Sequence, residues 1–127
     1  MILQLAVTRD EEGKDGFINV PAGKLLFLEY DMSKKWVLAH TMEDCYYVAG
    51  TLTYLVTALK ANGYEFEKVD RNIVVHIPKI KRLDRLNTFA YFEYEIHKSS
   101  KRITLSRKYF DKLLSREYVQ DPNMVII

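Results

Sequence analysis

Cysteine is almost missing from this chain: Cys45 is the only one in 127 residues. A lone thiol excludes an internal disulfide and any multi-cysteine metal site, and it suits a reducing, cytoplasmic compartment. Long apolar runs are missing too, so no segment can cross a bilayer and no membrane partner is expected. The apolar start, Met1 to Val7, lacks a basic leader and runs straight into Thr8-Arg9-Asp10-Glu11-Glu12, which excludes a signal peptide. Glycine and proline number only 5 and 3, and there is no linker, repeat or low-complexity segment. Gly23-Lys24 is no phosphate loop, because the earlier glycine and the following Ser or Thr are absent. There is no nucleophile elbow and no HExxH motif. His40, His76 and His97 stand far apart without ligand spacing, which speaks against a metal site. Neither an enzyme nor a cofactor is expected.

What is present is a globular composition, 48% hydrophobic, with nine Tyr and six Phe. Aromatic and β-branched residues favour strands, and the length suits one domain, residues 1–127. The net charge is +2, but it is unevenly spread. Residues 1–70 carry 7 Lys/Arg against 11 Asp/Glu, whereas residues 79–118 carry 11 against 5. Such asymmetry points to a basic face and a polyanionic partner.

In chain order, strands are predicted at 2–7, 17–20, 25–30, 36–40 and 45–49, with 25–40 forming a hairpin around the polar Asp31-Met32-Ser33-Lys34-Lys35 loop. The period then changes. Leu52, Leu55, Val56 and Leu59 mark one face of a helix, with Thr51 as N-cap and Asn62-Gly63 as the stop. Residues 72–77 form a stiff strand behind Asp70-Arg71-Asn72, a polar cluster that projects Arg71. Residues 80–86 alternate as a half-exposed edge strand, 89–96 form a strand with Phe92, Tyr94 and Ile96 on one face, and 102–105 a short last strand. Ser106 caps a second helix through Tyr109, Phe110, Leu113 and Leu114. The tail, 117–127, ends in Met124-Val125-Ile126-Ile127, which adds a strand or docks on a partner.

Cys45, among Tyr46, Tyr47 and Val48, reads as a buried, inert thiol. Glu93 and Glu95 share a strand face, yet lie beside Lys and Arg as solvated carboxylates. Tyr91, Phe92 and Tyr94 could stack single-stranded bases, but core packing suits Phe92 and Tyr94 better. Three basic sites remain: Lys34-Lys35 in a loop, Arg71 with Asn72 ahead of a strand, and Arg107-Lys108 behind Ser106 at a helix start. The last pair sits at the wrong end of the helix dipole for positive charge, a placement that suits a phosphate backbone nearby.

In order along residues 17–116, four segments resemble the LytTR DNA-binding domain of bacterial response regulators. Leu25-Leu26-Phe27-Leu28-Glu29 resembles its "dIlyiE" strand, and Gly50-Thr51-Leu52 with Leu55 and Leu59 its "tLkeLe..L" helix. Phe66 to Ile80 is similar to "FiRvHRSylVNlkkI", and Ile103 to Tyr109 to "lpvSRry". Where the family has His, Ser and Asn, this chain has Asp70, Asn72 and His76.

The resemblance implies a mostly-β fold of about ten short strands in small sheets with one or two helices. It implies that loops enter successive major grooves of double-stranded DNA at repeated sites, with two copies bound as a dimer. Lys35, Arg71, Lys108 and Arg107 would contact bases and backbone. The expected function is a sequence-specific, cytoplasmic transcriptional regulator. The competing expectation is a protein-interaction module of the same fold that has lost DNA binding, docking through its apolar tail and acidic first half. No receiver domain precedes the module in this sequence, and the Met1 start slightly favours a stand-alone regulator.

Overall fold

The computed structural model describes residues 3–118 and 120–127. Ile2 of the expected first strand and Val119 of the tail lie outside the described residues.

A seven-stranded antiparallel sheet forms the body. Its strands are β1 (Gln4–Thr8), β2 (Phe17–Pro21), β3 (Phe27–Asp31), β4 (Trp36–His40), β5 (Cys45–Val48), β6 (Phe66–Asp70) and β7 (Ile73–His76), in the order β2-β1-β5-β4-β3-β7-β6. A second sheet holds β8 (Arg82–Asp84), β9 (Phe89–Tyr91), β10 (Arg102–Thr104) and β11 (Val125–Ile126), in the order β10-β9-β8-β11. The helices are α1 (Leu52–Ala61) and α2 (Arg107–Leu114). The expectation is a mostly-β fold of about ten short strands in small sheets with one or two helices, and the structure is mostly β, in two sheets with two helices.

The central strands are buried on both faces, which explains their near-continuous apolar sequence. Successive residues of β3 enter different cores. Leu28 joins Val37, Val74 and the α1 residues Leu52, Leu55 and Leu59. Phe27 joins Val69, Val75, Leu83, Ile103 and the α2 residues Phe110 and Leu113. The large sheet is thus packed between α1 on one side and the second sheet with α2 on the other.

Both expected N-caps form. The Thr51 hydroxyl accepts from the Tyr54 N–H at 3.0 Å, and the Ser106 hydroxyl from the Tyr109 N–H at 3.5 Å. The predicted stop of α1 is a Schellman turn, in which Gly63 N–H donates to Lys60 O and Tyr64 N–H to Leu59 O. Gly63 takes a φ of 86°, which a side chain would strain.

Several expectations need correction. The strand expected at 89–96 stops at Tyr91. Its partner β10 starts at Arg102, which faces Tyr91, so nothing continues the ladder beyond that pair. Tyr94 and Ile96 are exposed as a result, while Phe92 is buried. The expected edge strand at 80–86 is shorter and not an edge: β8 lies between β9 and β11. Residues 66–70 form β6, for which no strand was predicted. Cys45 is exposed, not buried. The tail folds back on its own chain, with β11 parallel to β8 and Met124 buried. Lys81 pairs with Asp121 at 2.8 Å, and Tyr94 also donates to that carboxylate. These bonds hold the Asp121 pKa down at about 2.

Candidate nucleic-acid interface

The turn between β3 and β4 is organised by one carboxylate. Asp31 Oδ1 accepts from Ser33 N–H at 2.9 Å, Ser33 Oγ at 2.7 Å and Lys34 N–H at 3.0 Å. These bonds, the Ser33 hydroxyl foremost, lower the Asp31 pKa. Closing the turn, Lys35 N–H donates to Asp31 O at 2.7 Å, and Lys35 takes a left-handed φ of 58°. The two lysines therefore differ. Lys34 folds back, donating to the Tyr47 hydroxyl at 2.9 Å, a bond that raises its pKa. Lys35 is exposed and makes no side-chain hydrogen bond or ion pair among the described residues.

Arg71 and Asn72 form the tight connection between β6 and β7. Asp70 pairs with Ile73 across it, and the register shifts between Lys68 and Asp70. Neither Arg71 nor Asn72 has a positive φ. A hairpin this short ordinarily uses left-handed turn residues, and the bulge supplies the extra twist instead. Asp70 Oδ1 accepts from the Arg71 N–H at 2.7 Å. The acid that departs from the family pattern is thus engaged with its own turn, while the Arg71 side chain is exposed and without an ion pair among the described residues.

These two turns lie at the same end of the sheet. β3 pairs with β7, and the Tyr30 N–H donates to Asn72 O at 2.9 Å. The start of α2 is tied to the same region, because Ser106 N–H and Oγ approach Val69 O at 3.5 and 3.4 Å. Ser106 is thereby committed to the cap and to β6. Beyond it, Arg107 and Lys108 are exposed, with Arg107 in a loose 3.9 Å pair with Asp111. So the fold gathers all three basic segments, which the sequence separates by up to 74 positions from Lys34 to Lys108, around β3, β7 and β6.

Sequence reasoning missed one neighbour. A pocket of about 390 Å³ beside Asp70 is lined by Glu29, His40, Lys101 and Arg102, among others. His40 Nε2 bonds Glu29 at 2.7 Å, and Lys101 Nζ donates to Asp44 O at 2.6 Å. Arg102 is exposed and lies over Phe89 at 4.2 Å. The available signal was Lys101-Arg102 next to a strand, but nothing in the sequence placed it near Asp70. Cys45 Sγ is 3.7 Å from His40 Nε2, the nitrogen that already bonds Glu29. Although the residue is exposed overall, partial desolvation of the sulfur raises the thiol pKa, the opposite of what an activated nucleophile needs. His76 is buried, bonds Leu25 O through Nδ1 at 2.9 Å, and stacks on Phe66. Burial, foremost, lowers its pKa.

A strand-built fold with exposed cations gathered at one end suits a polyanionic partner. The model of the LytTr DNA-binding domain family matches residues 15–116, most of the chain, and the protein belongs to that family. The structure is similar to the LytTr DNA-binding domain of a methyl-accepting/DNA response regulator from Bacillus cereus. The TM-score is 0.64 at 21% sequence identity, over 87% of this chain and 95% of that one. At that identity the likeness carries the fold. No curated protein matches the chain. No helix among the described residues is long and apolar enough to cross a membrane.

Proposed function

We propose that this LytTr domain is a sequence-specific transcriptional regulator that reads the major groove of double-stranded DNA through its turns. The carrying observation is the Tyr30–Asn72 backbone bond, which sets the Lys35 turn beside the Arg71 turn at one end of the sheet. In this reading Arg71, Lys35 and Lys108 reach base edges, where a cation donates to guanine O6 and N7. Asn72 supports Arg71 from the same turn. Lys34 and Arg107, each with a partner on the protein, suit phosphate contacts, which position the domain without reading sequence. Ser106 fixes the helix start that carries Arg107 and Lys108. Two copies on repeated sites would double the contact surface.

The test is fluorescence anisotropy of labelled duplexes over a salt series, followed by selection from random duplexes. Binding whose affinity falls steeply with salt, plus enrichment of one sequence, is the expected outcome. If no duplex is bound at low salt, the proposal fails. If affinity is salt-dependent but no sequence is enriched, binding is only to the backbone.

A further inference from the structure

A second concavity, of about 730 Å³, opens at the end of β3 and β4 away from the Lys35 turn. Its wall includes Leu26 and Phe92, both almost fully buried, together with Val20 and Met42. Phe92 is stacked on Phe27 at 5.5 Å, so the apolar wall is continuous with the core and is already formed. The lining also holds Arg9, Lys24 and Lys79, none of which has an ion pair among the described residues, although Arg9 lies over the Tyr46 ring at 5.7 Å. A fourth cation, Lys81, is taken by Asp121. Two acids, Glu43 and Asp44, share the rim, and the Asp44 carboxylate accepts from the Tyr46 hydroxyl at 3.1 Å.

The size is that of a small-molecule site, and the lining mixes apolar side chains with a larger number of polar and charged ones, which suits an amphipathic ligand. The three unpaired cations select an anion. The apolar part of the wall selects a ligand with an apolar body, and the two acids offset part of the positive charge, so that one anionic headgroup suits the site better than an extended polyanion such as nucleic acid. The geometry points to a binding site for a small amphipathic carboxylate, its body against the exposed Met42 side chain, backed by the buried Leu26 and Phe92, and its headgroup among Lys24, Lys79 and Arg9. This site is separate from the DNA-contacting turns and does not depend on their assignment.

The experiment is a nuclear magnetic resonance titration of the full chain with octanoate, octanol and octylammonium. The expected result is saturable binding of octanoate, tighter than octanol and far tighter than octylammonium, with amide shifts centred on Lys24, Met42 and Lys79. A Lys24→Gln/Lys79→Gln double variant, both changes at the pocket rim, is expected to weaken octanoate roughly tenfold, the loss of a charge-assisted contact. A second variant, Met42→Asp, places a like charge at an exposed position and is expected to abolish binding. Octanoate binding no tighter than octanol, shifts centred elsewhere, an unaffected double variant, or no saturation overturns the assignment. Both variants must keep the wild-type circular dichroism spectrum, and octanoate binding by the wild type is itself sufficient to decide the first comparison.

Discussion

Lys35 carries a cost that its neighbours do not. A non-glycine residue in the left-handed region is destabilised by about 1–2 kcal/mol, and Lys35 holds that conformation in the turn next to Arg71. Lys35→Gly is therefore expected to raise stability by about 1 kcal/mol in urea unfolding while weakening DNA binding. A variant that gains stability and keeps full affinity would show that the Lys35 side chain contacts nothing on DNA. Arg71 is under no such strain, and Arg71→Ala is expected to leave unfolding unchanged. It should cost about 1–3 kcal/mol of DNA binding and relax preference at one base position; an even loss over all sequences would make it a phosphate contact. Arg71 and Lys35 were legible in the sequence as projecting cations. The difference between Lys34 and Lys35 was not, because it rests on Tyr47, thirteen residues away and on another strand.

Among the elements, α2 separates folding from binding most clearly. Its N-cap, Ser106, also ties the helix to β6. Ser106→Ala is expected to cost about 1 kcal/mol of stability, the usual loss of such a cap. Ser106→Asp should recover part of that stability through the cap but not the bond to Val69 O, since a carboxylate accepts and cannot donate, and it should depress DNA affinity by setting a negative charge beside Arg107 and Lys108. Recovery of both by Asp would mean the helix start lies away from DNA. Both helices and their caps could be read from the sequence, because capping and 3.6-residue periodicity are local. Strand ends were read less well. β9 stops where its partner runs out, a fact about β10 and not about residues 92–96. β6 was overlooked because Phe66 and Val69 stand three apart where strand pairing alternates in twos, and the register shift between Lys68 and Asp70 explains that spacing.

At the scale of the whole molecule, the tail closes the second sheet through Asp121. Its carboxyl titrates at about 2 in the folded chain against an ordinary 3.8. A depressed acid stabilises the fold fully above its unfolded value and loses that contribution as pH falls. The β11–β8 pairing is therefore expected to weaken between about pH 4 and pH 2, seen as a shift of the Val125 amide, which donates to Lys81 O at 2.8 Å. Asp121→Asn should show no such transition in that window; an unchanged titration would place the responsible group elsewhere. The sequence left the tail open between a strand and a docking segment, since a two-residue parallel pairing has no pattern of its own. The two cores on either side of β3 have a further consequence. Where both faces of a strand are apolar, the alternation of polar and apolar residues no longer fixes its register. For β3, that task falls to the turn at its end and to the carboxylate of Asp31 that shapes it. The five residues of the turn that exposes Lys35 also align the central strand. Substitution in this turn is thus confined to sequences that still let the sheet assemble in step.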